Sequence, residues 1–293
     1  MGGESSTPVP PPKKEYDKEW RETNWSKKQR DEMVAALRNF KLYDPKVGQL
    51  RVLLLGPIGA GKSSFINSIS SVFQGRIAHA TEVAAATGKS FTKIYKTHYI
   101  KNEEETLPFA FNDVMGLEME EENGIDPDDL INAINGHLPE GYKFNPCGPL
   151  TDESRDYNKN PSSNEKVHCL VNVIPAAKIS LMSRGVIDKM KNVREKASKL
   201  GIPQVVVMTM PDNSCELVSR DLKKIYTSKE IKAKMQMCSN ALGIPMNNIL
   251  PVKNYHEETH LKNDMDILIL NALTQIMNYA NDYQWALKPN KYK

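Results

Sequence analysis

The segment Gly56-Pro57-Ile58-Gly59-Ala60-Gly61-Lys62-Ser63 carries the most specific chemistry in the sequence. Two glycines bracket four residues and are followed by a lysine and a hydroxyl, a spacing in which backbone N–H groups curl around phosphate oxygens. Gly56, Gly59, Ala60 and Gly61 would make that curl, with Gly59 and Ala60 around the β-phosphate. Lys62 reaches the β- and γ-phosphates and is a candidate catalytic cation, Ser63 ligates Mg²⁺, and Ser64 belongs to the same nucleotide-contacting set. Downstream, Pro108-Phe109-Ala110-Phe111-Asn112-Asp113 reads as a strand ending in a carboxylate, followed by Val114-Met115-Gly116. Asp113 there would hold Mg²⁺ through water and Gly116 would sense the γ-phosphate. The hydroxyl that closes on the metal comes from Thr81, Thr87 or Thr92. Thr87 is preferred as metal ligand and catalytic residue because Thr92 falls inside an expected strand.

Phosphate grip alone does not choose a base. Val205-Val206-Val207-Met208 ends in Thr209-Met210-Pro211-Asp212, which resembles the Asn/Thr-Lys-x-Asp element of Ras-like and septin-like GTPases. In those families the aspartate accepts two hydrogen bonds from guanine, a pairing that adenine cannot return. Asp212 and Thr209 occupy the corresponding places, and Met210 stands where lysine is usual. Leu250-Pro251-Val252-Lys253-Asn254 resembles the last guanine-contacting loop, with Val252 and Lys253 at the base and Pro251 as a departure. The expected ligands are therefore GTP and GDP with Mg²⁺. Leu117 takes the place of the glutamine that orients the attacking water in Ras-like enzymes, so turnover is expected to be slow. Glu118, Glu120, Glu121 and Glu122 are candidate substitutes, and Arg76 is a candidate arginine finger in cis. Two other readings stay open: a nucleotide-poor pseudo-GTPase scaffold, or a P-loop ATPase or kinase with Arg155 in a lid.

These groups need rigid supports. The apolar run Gln49-Leu50-Arg51-Val52-Leu53-Leu54-Leu55 reads as a strand buried on both faces, and Phe65, Ile66, Ile69 and Phe73 mark a helix starting near Lys62. Further strands are expected at 91–100, 107–112, 167–174, 204–208 and 249–252, with helices at 183–200, 228–241 and 265–279. Alternating strands and helices imply an α/β, three-layer P-loop NTPase fold of the Ras-like G-domain kind, with a mostly parallel six-stranded sheet and helices on both faces. Ahead of it, Ser26 with Gln29 suggests a capping box for a helix carrying Met33, Val34, Leu37 and Phe40, with Trp20 and Trp25 as packing anchors. The expected organisation is a disordered Pro-rich tail at 1–19, a packed helix at 20–47, the G domain at 48–284 and a tail at 285–293. Residues 137–166, broken by Gly, Pro, Asn and Asp, form an insertion or mobile lid.

Composition narrows the partners. Net charge is +3, from 39 basic and 36 acidic residues mixed along the chain, so no nucleic-acid-binding stripe is expected. No apolar run approaches bilayer length, and the four scattered cysteines match no metal spacing, which together point to a cytoplasmic, reducing setting. Met1-Gly2-Gly3-Glu4-Ser5-Ser6 fits an N-myristoylation pattern, and a lipid on Gly2 would give weak membrane association. A protein effector and a nucleotide-dependent homodimer complete the expected partners.

The runs Trp20-Arg21-Glu22-Thr23-Asn24-Trp25, Arg51 to Phe65, Ser90-Phe91-Thr92-Lys93 and Pro251-Val252-Lys253-Asn254-Tyr255 resemble the interferon-induced protein 44 family. That resemblance covers residues 20–284 and implies a cytoplasmic, interferon-inducible protein with a GTPase-like domain and a part in antiviral defence. The residues ahead of Trp20 are too few for the TLDc domain that some members carry.

Overall fold

Leu50–Leu55 (β1) is buried along its whole length apart from partly exposed Arg51, which is what a strand covered on both faces requires. The computed structural model, which describes residues 14–79, 94–102, 105–114, 125–145 and 148–287, puts β1 at the centre of the sheet. In chain order the main elements are α1 (Lys27–Arg38), β1, α2 (Lys62–Gln74), β2 (Lys96–Asn102), β3 (Glu105–Asp113), α3 (Pro127–Asn135), β4 (Cys169–Pro175), α4 (Arg184–Lys199), β5 (Gln204–Thr209), α5 (Glu216–Arg220), α6 (Lys229–Leu242), β6 (Ile249–Val252) and α7 (Asn263–Leu287). The strand order is β2-β3-β1-β4-β5-β6. Every pairing is parallel except the antiparallel β2–β3 hairpin. Helices α1, α2 and α7 pack together on one face, and α3, α4 and α6 on the other. This is an α/β arrangement with a mostly parallel six-stranded sheet between two helical layers, and the β1 to α2 turn lies at the carboxyl end of the sheet.

Aromatic rings lock α2 to β3: Phe65 meets Phe111 edge-on, and Phe73 lies against Phe109. That contact sets the axial position of α2, and with it the height of the glycine loop above the sheet. Ser26 caps α1 by accepting from the Gln29 amide, but the box is only half built, since the Gln29 side chain accepts from Asn24 instead.

The structure departs from the expected outline in several places. Residues 14–19, assigned to a disordered tail, run along the segment before α6. Tyr16 N–H donates to the Thr227 carbonyl, Lys229 N–H to Lys14, and Glu15 pairs with Lys224. Trp20 then stands edge-on to Tyr226 while Arg21 reaches the Ile249 and Met246 carbonyls. Such backbone pairing over long sequence separation leaves no periodicity to read.

The described residues of the 137–166 insertion are fastened by polar contacts: Asn158 donates to the Gly136 carbonyl and to Glu165, Leu150 N–H donates to buried Asp129 of α3, and Asn164 accepts from Gly48 N–H. Next to β2, Tyr95 N–H donates to the Tyr142 carbonyl and Gly141 N–H donates to the Tyr95 carbonyl. The insertion's turn-forming residues specify successive turns. Helix α7 outruns the expected 265–279 in both directions. Its last turns are held by polar anchors, Asn281 to Tyr43 N–H and Tyr283 to the Leu200 carbonyl, with Trp285 exposed, so apolar spacing stops early.

Helices α3 and α5 were not expected at all. Strand β2 begins later than expected, and residues 91–93 lie outside the described residues. Among the described residues no helix is long and apolar enough to cross a membrane.

Candidate functional site

The loop between β1 and α2 is shaped by what cannot be placed in it. A Cβ on Gly56 would sit 2.2 Å from the Val173 carbonyl oxygen of β4, so only glycine lets the loop leave β1 so close to its neighbour. Gly61 caps α2 at φ +90°, with no side chain closing the helix end. The first-turn N–H groups of a helix lack intrahelical partners, and here they gather at the positive end of the α2 dipole, a setting suited to an anion.

The carbonyl side of the same loop is tied down from two other strands. Buried Thr209, at the end of β5, donates its hydroxyl to the Ala60 carbonyl at 2.7 Å, and Asn254, just after β6, donates its amide to the Gly61 carbonyl at 3.1 Å. Thr209 and Val252 are register partners, which is why both strand ends arrive together. These two bonds fix the Ala60 and Gly61 carbonyls in place. Thr209 therefore supports the loop backbone, whereas the sequence suggested a base contact. Asn254 was missed altogether as a supporting side chain. Met210 lies between these two tethers, its methyl 3.8 Å from where a Gly61 Cβ would be. Its φ of +53° is the left-handed conformation, unique among the described non-glycine residues, and Pro211 restricts it further. Strain of about 1–2 kcal/mol at such a residue is typical of functional loops.

Lys62 is buried, with its ammonium donating to the Gly56 and Pro57 carbonyls at 3.1 and 3.3 Å. Burial lowers its pKa, and nearby Asp113 opposes the shift. Beside it the Ser63 hydroxyl donates to Asp113 Oδ2 at 2.7 Å. The other oxygen, Asp113 Oδ1, is buried and has no hydrogen-bond partner among the described residues. A serine that gives its proton to a carboxylate keeps an oxygen lone pair for a hard cation, and a desolvated carboxylate oxygen nearby favours one, so this pair fits Mg²⁺. Among the described residues no three His, Cys, Asp or Glu side chains converge as a metal cage. A small donor set is the normal case for Mg²⁺, which takes most of its ligands from water and phosphate.

At the ends of β5 and β6, Lys253 Nζ lies 3.0 Å from Asp212 Oδ2 and 3.6 Å from Glu258 Oε1. Burial alone would lower the Lys253 pKa, but the two carboxylates outweigh it and raise the value. Glu258, a residue the sequence did not single out, is held below the usual carboxylate range: burial works against this, and the His256 N–H and the two lysines overcome it. The loop itself is positioned from beneath. Tyr255 N–H donates to Ser68 of α2, and the Tyr255 hydroxyl donates to Asp266, whose second oxygen takes Arg30 of α1.

The structure thus gathers Gly56, Gly59, Ala60, Gly61, Lys62, Ser63, Ser64, Asp113, Thr209, Asp212, Val252 and Lys253 around one end of the sheet. Thr81, Thr87, Thr92, Gly116, Leu117 and the glutamates from Glu118 to Glu122 lie outside the described residues. Arg76 does not join the site. It follows the far end of α2, about 20 Å from the glycine loop at 1.5 Å per residue, with its guanidinium on the Ile77 carbonyl. Arg155 is exposed within the fastened insertion.

No family model matches the chain. It is 36% identical to mouse interferon-induced protein 44 over 261 residues, 88% of this chain and 61% of that protein. To human interferon-induced protein 44-like it is 32% identical over 260 residues, 88% of this chain and 57% of that protein. The chain therefore spans about three fifths of the length of these relatives. Among solved structures, a probable GTP-binding protein engB aligns with 79% of this chain and 99% of its own, at 12% identity and a TM-score of 0.43. Over most of its length, the chain is a homologue of the interferon-induced protein 44 and 44-like proteins.

Proposed function

We propose that this chain is a GTP-binding switch that takes GTP and GDP with Mg²⁺ and turns GTP over slowly or only with a partner. The observation that carries the reading is the pair of tethers, Thr209 to Ala60 and Asn254 to Gly61, which join the segments bearing Asp212 and Lys253 to the phosphate loop. A turn that merely connected β5 to α5 would have no reason to brace a loop between β1 and α2. Lys62 and the α2 N-terminus would face the phosphates, Ser63 and Asp113 would hold the Mg²⁺, and Asp212 would accept from the base. The metal would supply neutralisation of the phosphate charge. Nucleotide-dependent contact with an effector or a second copy, in a cytoplasmic setting, is part of this proposal on the ground of switch behaviour in general, and the relatives' names suggest an interferon-induced context.

A second reading, a scaffold that binds nucleotide poorly, is favoured by one observation: Asp212 is engaged by Lys253. Titrating fluorescent GTP, GDP and ATP with Mg²⁺ separates the two. Saturable guanine binding, lost in Lys62→Ala, supports the switch. An ATP preference removes the guanine assignment, and silence with all three nucleotides leaves the scaffold.

A further inference from the structure

The turn after β4 runs along the outer rim of the glycine loop. Ala176 N–H continues the β4–β5 pairing by donating to the Thr209 carbonyl, and two turn bonds follow, Lys178 N–H to Pro175 and Leu181 N–H to Lys178. The Lys178 backbone is therefore held in place rather than free to drift. Its exposed side chain carries Nζ to 3.9 Å from the position of a Gly59 Cβ. Gly59 has φ +69° and is solvent-exposed, so the ammonium stands over an open face of the loop. Among the described residues no carboxylate pairs with Lys178, while most cations near the site are spoken for. Lys253 is held by Asp212 and Glu258, and Lys62 by loop carbonyls. Arg76, the candidate arginine finger of the sequence, is at the far end of α2.

We propose that Lys178 is a specificity-determining residue that reads the terminal phosphate of a nucleoside triphosphate. This rests on the nucleotide reading above. Gly59 belongs to the part of the loop that wraps the β-phosphate, so a cation above it meets the oxygens added by a γ-phosphate. Lys62, buried below the loop, serves di- and triphosphates alike. Lys178 reaches in from the solvent side and strengthens binding only where the extra negative charge is present. It thereby makes the site sensitive to the phosphate count, which is the quantity a switch must report.

The test is equilibrium titration of the full chain with fluorescent GDP and a non-hydrolysable GTP analogue at fixed Mg²⁺, comparing wild type, Lys178→Ala and Lys178→Arg. Lys178→Ala is expected to weaken the GTP analogue about tenfold and GDP less than about twofold, with Lys178→Arg close to wild type. Thermal melting of the nucleotide-free variants should match wild type, because the side chain is exposed. Equal losses for both nucleotides, or no loss, overturn the assignment of Lys178 while leaving the nucleotide site standing. If wild type binds neither nucleotide, the underlying reading fails and takes this one with it.

Discussion

Lys253 Nζ stands 3.0 Å from Asp212 Oδ2, so the carboxylate proposed to read guanine is shared with a lysine from the neighbouring strand end. A partly exposed ion pair of this kind is worth about 1 kcal/mol or less, too little to exclude a base that offers two hydrogen bonds. Two outcomes follow. Asp212→Asn should move preference from guanine to xanthine nucleotides, measured by competition. Lys253→Met, which keeps the apolar stem and drops the charge, should raise guanine affinity about twofold to fivefold. Unchanged base selection in the first variant would return Asp212 to an ordinary turn.

The Thr209 tether predicts a coupled loss. Thr209→Val preserves shape but removes the buried donor to the Ala60 carbonyl, at a cost of about 1–3 kcal/mol in stability. Nucleotide affinity should fall with it, since the loop carbonyl is no longer held in place. Urea denaturation and titration of the same samples check both parts. A stability loss with unaltered affinity would separate the tether from the site.

Tyr255 anchors the loop after β6 through buried Asp266. Burial pushes the Asp266 carboxyl up, against the hydrogen bonds from Tyr255 and Arg30 that favour its charged form. Tyr255→Phe leaves Asp266 Oδ1 without that donor and the Lys262 N–H without its acceptor. The expected cost is about 1–3 kcal/mol, with a weaker grip on the base and little change for inorganic phosphate. Melting temperature alone, unaccompanied by any change in nucleotide affinity, would confine Tyr255 to the core.

His168 links β1 to β4 in its neutral form. Its Nδ1 accepts from Arg51 N–H at 2.9 Å, and burial, aided by the Arg51 charge, holds its pKa down to about 4. Its contribution is complete above about pH 6.5, where folded and unfolded chains are both neutral. Below that the unfolded chain takes a proton the fold refuses, and stability drops by up to about 1.4 kcal/mol per pH unit until about pH 4. Denaturant midpoints between pH 7.5 and 4.5 should decline in the wild type and less steeply in His168→Asn. Parallel profiles would show that other groups govern the acid limb.

The local chemistry was legible in the sequence because it depends on short spacing. Gly56, Gly61, Lys62 and Ser63 are neighbours along the chain, and the apolar run from Leu50 to Leu55 needs nothing distant to declare a buried strand. Helix caps such as Ser26 and Ser183 are equally local. What the tertiary structure decided were contacts between residues far apart: Thr209 on Ala60, Asn254 on Gly61, Lys253 on Asp212, and Lys178 above Gly59. Residues 14–16 and 137–166 belong to the same class, since backbone pairing and turn-by-turn polar tethers carry no period. Sequence spacing determined which groups could grip a phosphate. Only the parallel register of β1, β4, β5 and β6 decided which side chains would brace and surround that grip, because strand order brings their ends together regardless of their distance along the chain.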